Sequence, residues 1–98
     1  MSLREKQSKF AKKVALLILH AYELGYEVTL GDAYATRGHS SNSFHYKRLA
    51  IDINLFKDGI YLEKTEDHKS LGDYWKSIGG TWGGDFKHKD GNHYSYGE

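Results

Sequence analysis

The first regular feature of the chain is an apolar stripe. Phe10, Val14, Leu17, Ala21 and Leu24 recur at intervals of three and four, the spacing that places residues on one face of an α-helix. It predicts a helix over 3–24, with Gly25 positioned to end it. Residues 27–30 then read as a short strand. Over 31–47 the periodicity is lost. That segment is rich in Gly, Ser, Asn and His and reads as a long loop, a kind of segment that often carries function in a compact domain. Alternation resumes where Leu49, Ile51 and Ile53 interleave with Ala50, Asp52 and Asn54, which predicts a strand over 49–56. Lys57-Asp58-Gly59 is a hairpin signal, and Ile60-Tyr61 begins the return strand. Residues 66–78 read as a second helix, with Leu71, Tyr74, Trp75 and Ile78 on one face and Gly79-Gly80 as its stop. A glycine-rich loop follows, then a turn at Asp90-Gly91-Asn92 and a last strand over 93–96. The order helix, strands, helix, strands predicts an α+β fold, a small antiparallel sheet packed with two main helices.

Composition narrows this picture. Ninety-eight residues suit one domain, 1–98, with eight Tyr, four Phe and two Trp to fill a small core. The net charge of +1 is too balanced for nucleic-acid binding by bulk charge. The chain has no cysteine, so disulfides and Cys-ligated zinc are excluded, and any metal site must use His, Asp or Glu. Basic residues before the apolar run 14–19 superficially imitate a signal peptide. The run is short, His20 and Glu23 follow it, and no small-residue cleavage site appears. Nothing is long enough to span a membrane. The expectation is a monomer made in the cytoplasm without a signal peptide.

Asp52 sits inside an apolar strand, where Asp is disfavoured. The alternation projects it with Ala50 and Asn54, away from Ile51 and Ile53. An ordinary solvent-facing polar residue would do the same. His45 lies seven positions earlier, at the end of the loop, and His93 opens the final strand. Two His and one Asp form a sound ligand set for a catalytic zinc, with a fourth position left for water or substrate. The triplet alone has little specificity, because six His and 13 acidic residues allow many such sets.

The surrounding residues are more specific. Ser43-Phe44-His45-Tyr46-Lys47-Arg48-Leu49-Ala50-Ile51-Asp52 resembles the Ser-x-His-(x)6-Asp signature of the D-alanyl-D-alanine carboxypeptidase family of zinc peptidases. That family includes vancomycin-resistance dipeptidases and phage L-alanyl-D-glutamate endolysins, and it shares its fold with the hedgehog signalling domain. The likeness continues through Gly31-Asp32-Ala33-Tyr34, Leu71-Gly72-Asp73-Tyr74-Trp75, Gly79-Gly80-Thr81-Trp82-Gly83-Gly84-Asp85-Phe86 and Asp90-Gly91-Asn92-His93-Tyr94-Ser95. It therefore spans about 27–96, and is strongest to the short phage type.

The resemblance implies a hedgehog/DD-peptidase-like fold, with His45, Asp52 and His93 holding Zn2+ and Asp90 acting as general base. Asp90 is also an ordinary turn former. Many relatives carry an oxyanion-stabilising Arg directly after the residue matching Tyr34. Here that position is Ala35, and Arg37 is the candidate, with Lys47 or Arg48 as substitutes. Ser43 and Trp82 are candidate substrate-binding residues, though a core role suits Trp82 equally. Asp85 is the substitute base. His39 and His88 are decoy ligands, and His20 and His68 read as helix-surface residues. The implied substrate is a peptidoglycan stem peptide, cut between L-Ala and D-Glu. The alternatives are a D-alanyl-D-alanine carboxypeptidase or dipeptidase, and a non-catalytic zinc-containing wall-binding module. Such a phage-encoded or prophage-derived enzyme would reach the wall after release from the cell.

Overall fold

The computed structural model describes residues 2–31 and 48–96. Its first element, helix α1 (Leu3–Glu23), begins with a reciprocal cap. The Ser2 hydroxyl accepts the Glu5 N–H at 3.1 Å, and the Glu5 carboxylate accepts the Ser2 N–H at 3.2 Å. The helix ends at Gly25, whose φ of +90° lets the chain turn back. There the Gly25 N–H donates to Tyr22 O and the Tyr26 N–H to Ala21 O, both at 3.0 Å. The stop comes one residue earlier than the stripe predicts. Leu24 therefore falls outside the helix and is 42% exposed, whereas Phe10, Leu17 and Ala21 are buried.

Strands β1 (Glu27–Leu30), β2 (Ala50–Lys57) and β3 (Ile60–Leu62) follow. The β2–β3 hairpin turns through Asp58 and Gly59, both at positive φ, the conformation that a tight two-residue hairpin requires. The helix expected over 66–78 is split. Residues Thr65–His68 form one 3₁₀ turn, and α2 (Lys69–Ser77) continues from it. Asp67 holds that first turn by accepting the Lys64 N–H at 3.1 Å.

The segment expected to be only a glycine-rich loop contains a two-residue strand, β4 (Thr81–Trp82), and a 3₁₀ turn (Gly83–Asp85). The last strand is β5 (His93–Ser95). Among the described residues five strands make one antiparallel sheet, in the order β1-β2-β5-β4, with β3 also on β2. Strand β2 is the hub. It pairs with β1 over 53–56, with β5 over 50–52 and with β3 over 55–57.

The apolar stripes of both helices meet Ile51, Ile53, Leu55 and Tyr94 in one core. Trp75 stands at its centre, fully buried, edge-on to Phe10 at 5.9 Å and to Tyr94 at 6.0 Å. Its Nε1–H points at Ser95 O (2.9 Å) and Thr81 O (3.1 Å), which ties α2 to the two strands beneath it. The helices thus cover the face that carries Ile51, Ile53 and Tyr94. Alternation along β2 and β5 leaves the opposite face to Asp52 and His93. Among the described residues no helix is long and apolar enough to cross a membrane. The α+β architecture, with its small antiparallel sheet and two helices, is the one the sequence predicts.

Candidate metal centre

Asp52 and His93 are direct cross-strand partners in the β2–β5 register. Paired residues of an antiparallel ladder project to the same face with close Cβ atoms. Here His93 Nδ1 lies 3.8 Å from Asp52 Oδ1. Asp52 is half-buried and His93 is 7% exposed. The Phe86 ring packs against the imidazole, with centroids 5.4 Å apart.

Asp90 reaches the same place through a turn. Asp90 O accepts the His93 N–H at 3.1 Å, and Asn92 O accepts the Ile53 N–H at 2.9 Å, so the turn is fastened to β2 as well as closed on itself. Asp52, Asp90 and His93 each offer one ligand atom, and those atoms all lie within 4.8 Å of one another. Asp90 is exposed, unlike the other two.

The turn is clamped from both sides. A Cβ on Gly83 would lie 2.1 Å from Asp90 O and 2.8 Å from His93 Cβ, so only glycine lets the 3₁₀ turn 83–85 approach this closely. A Cβ on Gly91 would lie 2.6 Å from Thr65 Cα, on the turn that opens α2. Trp82 is the third clamp. It is 5% exposed, and Gly72 and Gly84 lie so close to its indole that a Cβ on either would overlap it. Its Nε1–H donates to Gly91 O at 2.7 Å. Trp82 therefore sits in the core, bonded to the backbone between Asp90 and His93.

Beneath the turn is a buried polar pair that the sequence does not announce. His68, expected on the helix surface, is only 2% exposed, with Nδ1 2.8 Å from the Tyr94 hydroxyl. Burial lowers its pKa to about 4, against the opposing pull of the Asp67 and Asp90 carboxylates. Burial likewise pushes the Tyr94 phenol up. His20 is also not a free surface residue. It stacks on Tyr74 with ring centroids 4.0 Å apart.

The other candidates separate cleanly. His88 is exposed and outside the cluster. Asp85 is paired with Lys76 at 2.9 Å and is also outside it. Arg48 is exposed, with φ +56°. His45, Arg37, Ser43, His39 and Lys47 lie outside the described residues.

The donor chemistry fits a divalent metal. Two carboxylates and an imidazole supply the oxygen and nitrogen ligands that zinc accepts, and Asp52 Oδ1 and His93 Nε2 are both shielded from solvent. Such a set, with an exposed carboxylate at its edge, suits hydrolysis assisted by a general base. No curated protein matches the chain. A model of the family described as D-alanyl-D-alanine carboxypeptidase matches residues 36–96, which is 61 of the 98 residues and includes every candidate site residue named above from Arg37 to His93.

Proposed function

The chain belongs to the D-alanyl-D-alanine carboxypeptidase family and is a peptidase of the peptidoglycan-acting kind; from that premise we propose that it is a zinc-dependent endopeptidase cutting stem peptides between L-alanine and D-glutamate. The observation that carries the catalytic reading is the convergence of Asp52, His93 and Asp90 across one strand pair and one turn. The choice of bond rests on the likeness of the sequence motifs to the short phage type.

In this reading Asp52, His93 and His45 hold the metal. When bound, zinc polarises the scissile carbonyl and makes water a stronger acid at neutral pH. Asp90 takes the proton from the attacking water and delivers it to the leaving nitrogen, so that the C–N bond breaks to give a carboxylate on one fragment and an amine on the other. Its exposure supports that role over a fourth ligand's, because a proton carrier must exchange with solvent between turnovers. Arg37 steadies the oxyanion that develops on the carbonyl oxygen, and Ser43 is the candidate substrate-binding residue. Trp82 contributes by holding the turn through Gly91 rather than by touching substrate.

The test is to incubate zinc-loaded protein with intact peptidoglycan and identify the new termini by mass spectrometry. New N-terminal D-Glu is expected. Release of terminal D-Ala alone reassigns the chain as a carboxypeptidase. Tight binding without cleavage at full zinc occupancy makes it a binding module. Asp90→Asn should retain zinc and fold while losing turnover by ~100-fold or more, the usual scale for a general acid–base group. Near-normal turnover in that variant removes Asp90 from the mechanism.

A further inference from the structure

Between α1 and Tyr96 a cavity of about 370 Å³ is lined by Lys9, Lys12, Lys13, Leu16 and Tyr96. Among the described residues that line it, three are cationic and none is acidic. The contrast with the cavity of about 250 Å³ beside α2 is instructive. That cavity also has three lysines, but it contains Glu66 and Asp85. Each of its lysines is taken: Lys69 by Asp73 at 3.0 Å, Lys76 by Asp85 at 2.9 Å and Lys89 by Gly84 O at 3.2 Å. At the α1 cavity Lys13 donates to Ile78 O and lies 5.4 Å over the Tyr96 ring, and among the described residues no salt bridge or hydrogen bond engages the ammonium of Lys9 or Lys12. Lys9 and Lys12 are exposed. The nearby acid on the helix, Glu5, is hydrogen-bonded to the Ser2 cap and attracts Lys9 through space without an ion-pair contact.

Charge along the chain is divided in the same way. Residues 2–13 hold Arg4, Lys6, Lys9, Lys12 and Lys13 against Glu5 alone, a balance of 5 − 1 = +4. The whole chain is +1, so the remainder is 1 − 4 = −3. Segregation of this kind concentrates anions at one end of a molecule whose overall charge is nearly neutral.

Tyr96 follows directly on β5, donates its N–H to Leu49 O at 2.9 Å and packs against the core, on the face opposite to His93. The cavity is therefore on the far side of the sheet from Asp52, His93 and Asp90, and an occupant there leaves that cluster accessible. We propose that the α1 cavity binds the phosphate groups of an anionic polyol-phosphate polymer, holding the protein on the wall while the opposite face works on the peptide. The choice of a wall polymer rests on the function proposed above; the anion site itself does not. Lysine ammonium groups suit phosphate as point charges. Attachment at one face raises the effective concentration of substrate at the other. The buried stripe of α1, through Phe10, Leu17 and Ala21, belongs to the core, while Leu3, Leu16 and Leu19 are exposed on the same helix, so a lipid surface is the competing occupant, which anionic vesicles test directly.

The experiment measures retention of the metal-free full chain on purified walls, so that the binding result stands whether or not the protein is a peptidase. Wild type is compared with Lys9→Gln/Lys12→Gln, on intact walls, on walls stripped of phosphate polymer, and on vesicles of anionic phospholipid, at low and high salt. Loss of two exposed charge contacts is expected to weaken retention on the order of tenfold at low salt. High salt should release the wild type, stripped walls should hold it no better than intact walls hold the variant, and the zinc-loaded variant should cleave a soluble stem peptide as wild type does. Equal retention of variant and wild type overturns the proposal, as does undiminished retention on stripped walls. Binding to the vesicles without binding to the phosphate polymer also overturns it, in favour of a lipid surface.

Discussion

His68 stands three positions before Leu71 and seven before Trp75, on the very stripe that α2 buries, so the spacing holds the signal of its burial that residue type conceals. Its folded pKa, near 4, lies below the ordinary value of 6.5 because desolvation disfavours the cation. The unfolded chain therefore binds more protons between about pH 6.5 and pH 4, and stability falls as pH drops through that window and is unaffected above it. The loss should be on the order of 1–3 kcal/mol. Urea midpoints of the metal-free protein, measured across that window, should show a slope that His68→Gln flattens. Parallel slopes in the two proteins would mean that His68 does not titrate in this way. The neighbouring site residues were more legible. Asp52 is conspicuous as an acid inside an apolar strand, and His93 and Asp90 stand at fixed offsets in a motif. What spacing does not reveal is that Asp52 and His93 are cross-strand partners, because pairing between residues 41 positions apart is set by the whole sheet and not by either segment.

Elements with ends marked by local chemistry were readable. Gly25 and Gly79 stop the helices at positive φ, and Asp58-Gly59 turns the hairpin. Strand β4 was not, since two residues carry no periodicity. It exists because Thr81 and Trp82 pair with Ser95 and Tyr94, a tertiary contact rather than a local preference. This unreadable stretch nonetheless sets the position of the Asp90–His93 turn, through Gly83 and through the Trp82 indole. Gly83→Ala should therefore displace the turn, because its Cβ would stand 2.1 Å from a backbone oxygen that has no side-chain freedom with which to yield. The expected cost is ~1–3 kcal/mol of stability and a loss of metal affinity of ~10-fold or more, the scale seen when groups that orient ligands are disturbed. Trp82→Phe removes the donor to Gly91 O and keeps most of the ring. It should shift metal affinity in the same direction with a smaller loss of stability. Competition with a chromophoric chelator reads both. Unchanged zinc affinity in both variants would mean that the turn holds its geometry without these clamps.

At the scale of the whole molecule, the sequence indicates one small α+β unit, and the structure adds why a metal should matter to its stability. Strands β2 and β5 pair at three positions, Ala50–Asp52 with His93–Ser95, with one further backbone bond at each end, Ile53 N–H to Asn92 O and Tyr96 N–H to Leu49 O, and among the described residues β5 is what joins β2 to β4. A metal held by Asp52 and His93 would brace that short junction directly. A ligand that binds only the folded state adds ~2.7 kcal/mol at a free concentration 100 times its dissociation constant. In a domain of this size each 1 kcal/mol moves the melting temperature by roughly 4–8 °C. Zinc in such excess should therefore raise Tm by roughly 10–20 °C, and a chelator should reverse the shift. Asp52→Asn and His93→Ala should each abolish the zinc increment, whatever they do to the metal-free Tm. Asp90→Asn decides the role of the third member of the cluster. An increment preserved in that variant leaves Asp90 as a base beside the metal, whereas an increment lost with the other two makes it a ligand. Zinc that leaves the wild-type Tm unmoved would separate the Asp52–His93 pair from any metal at all.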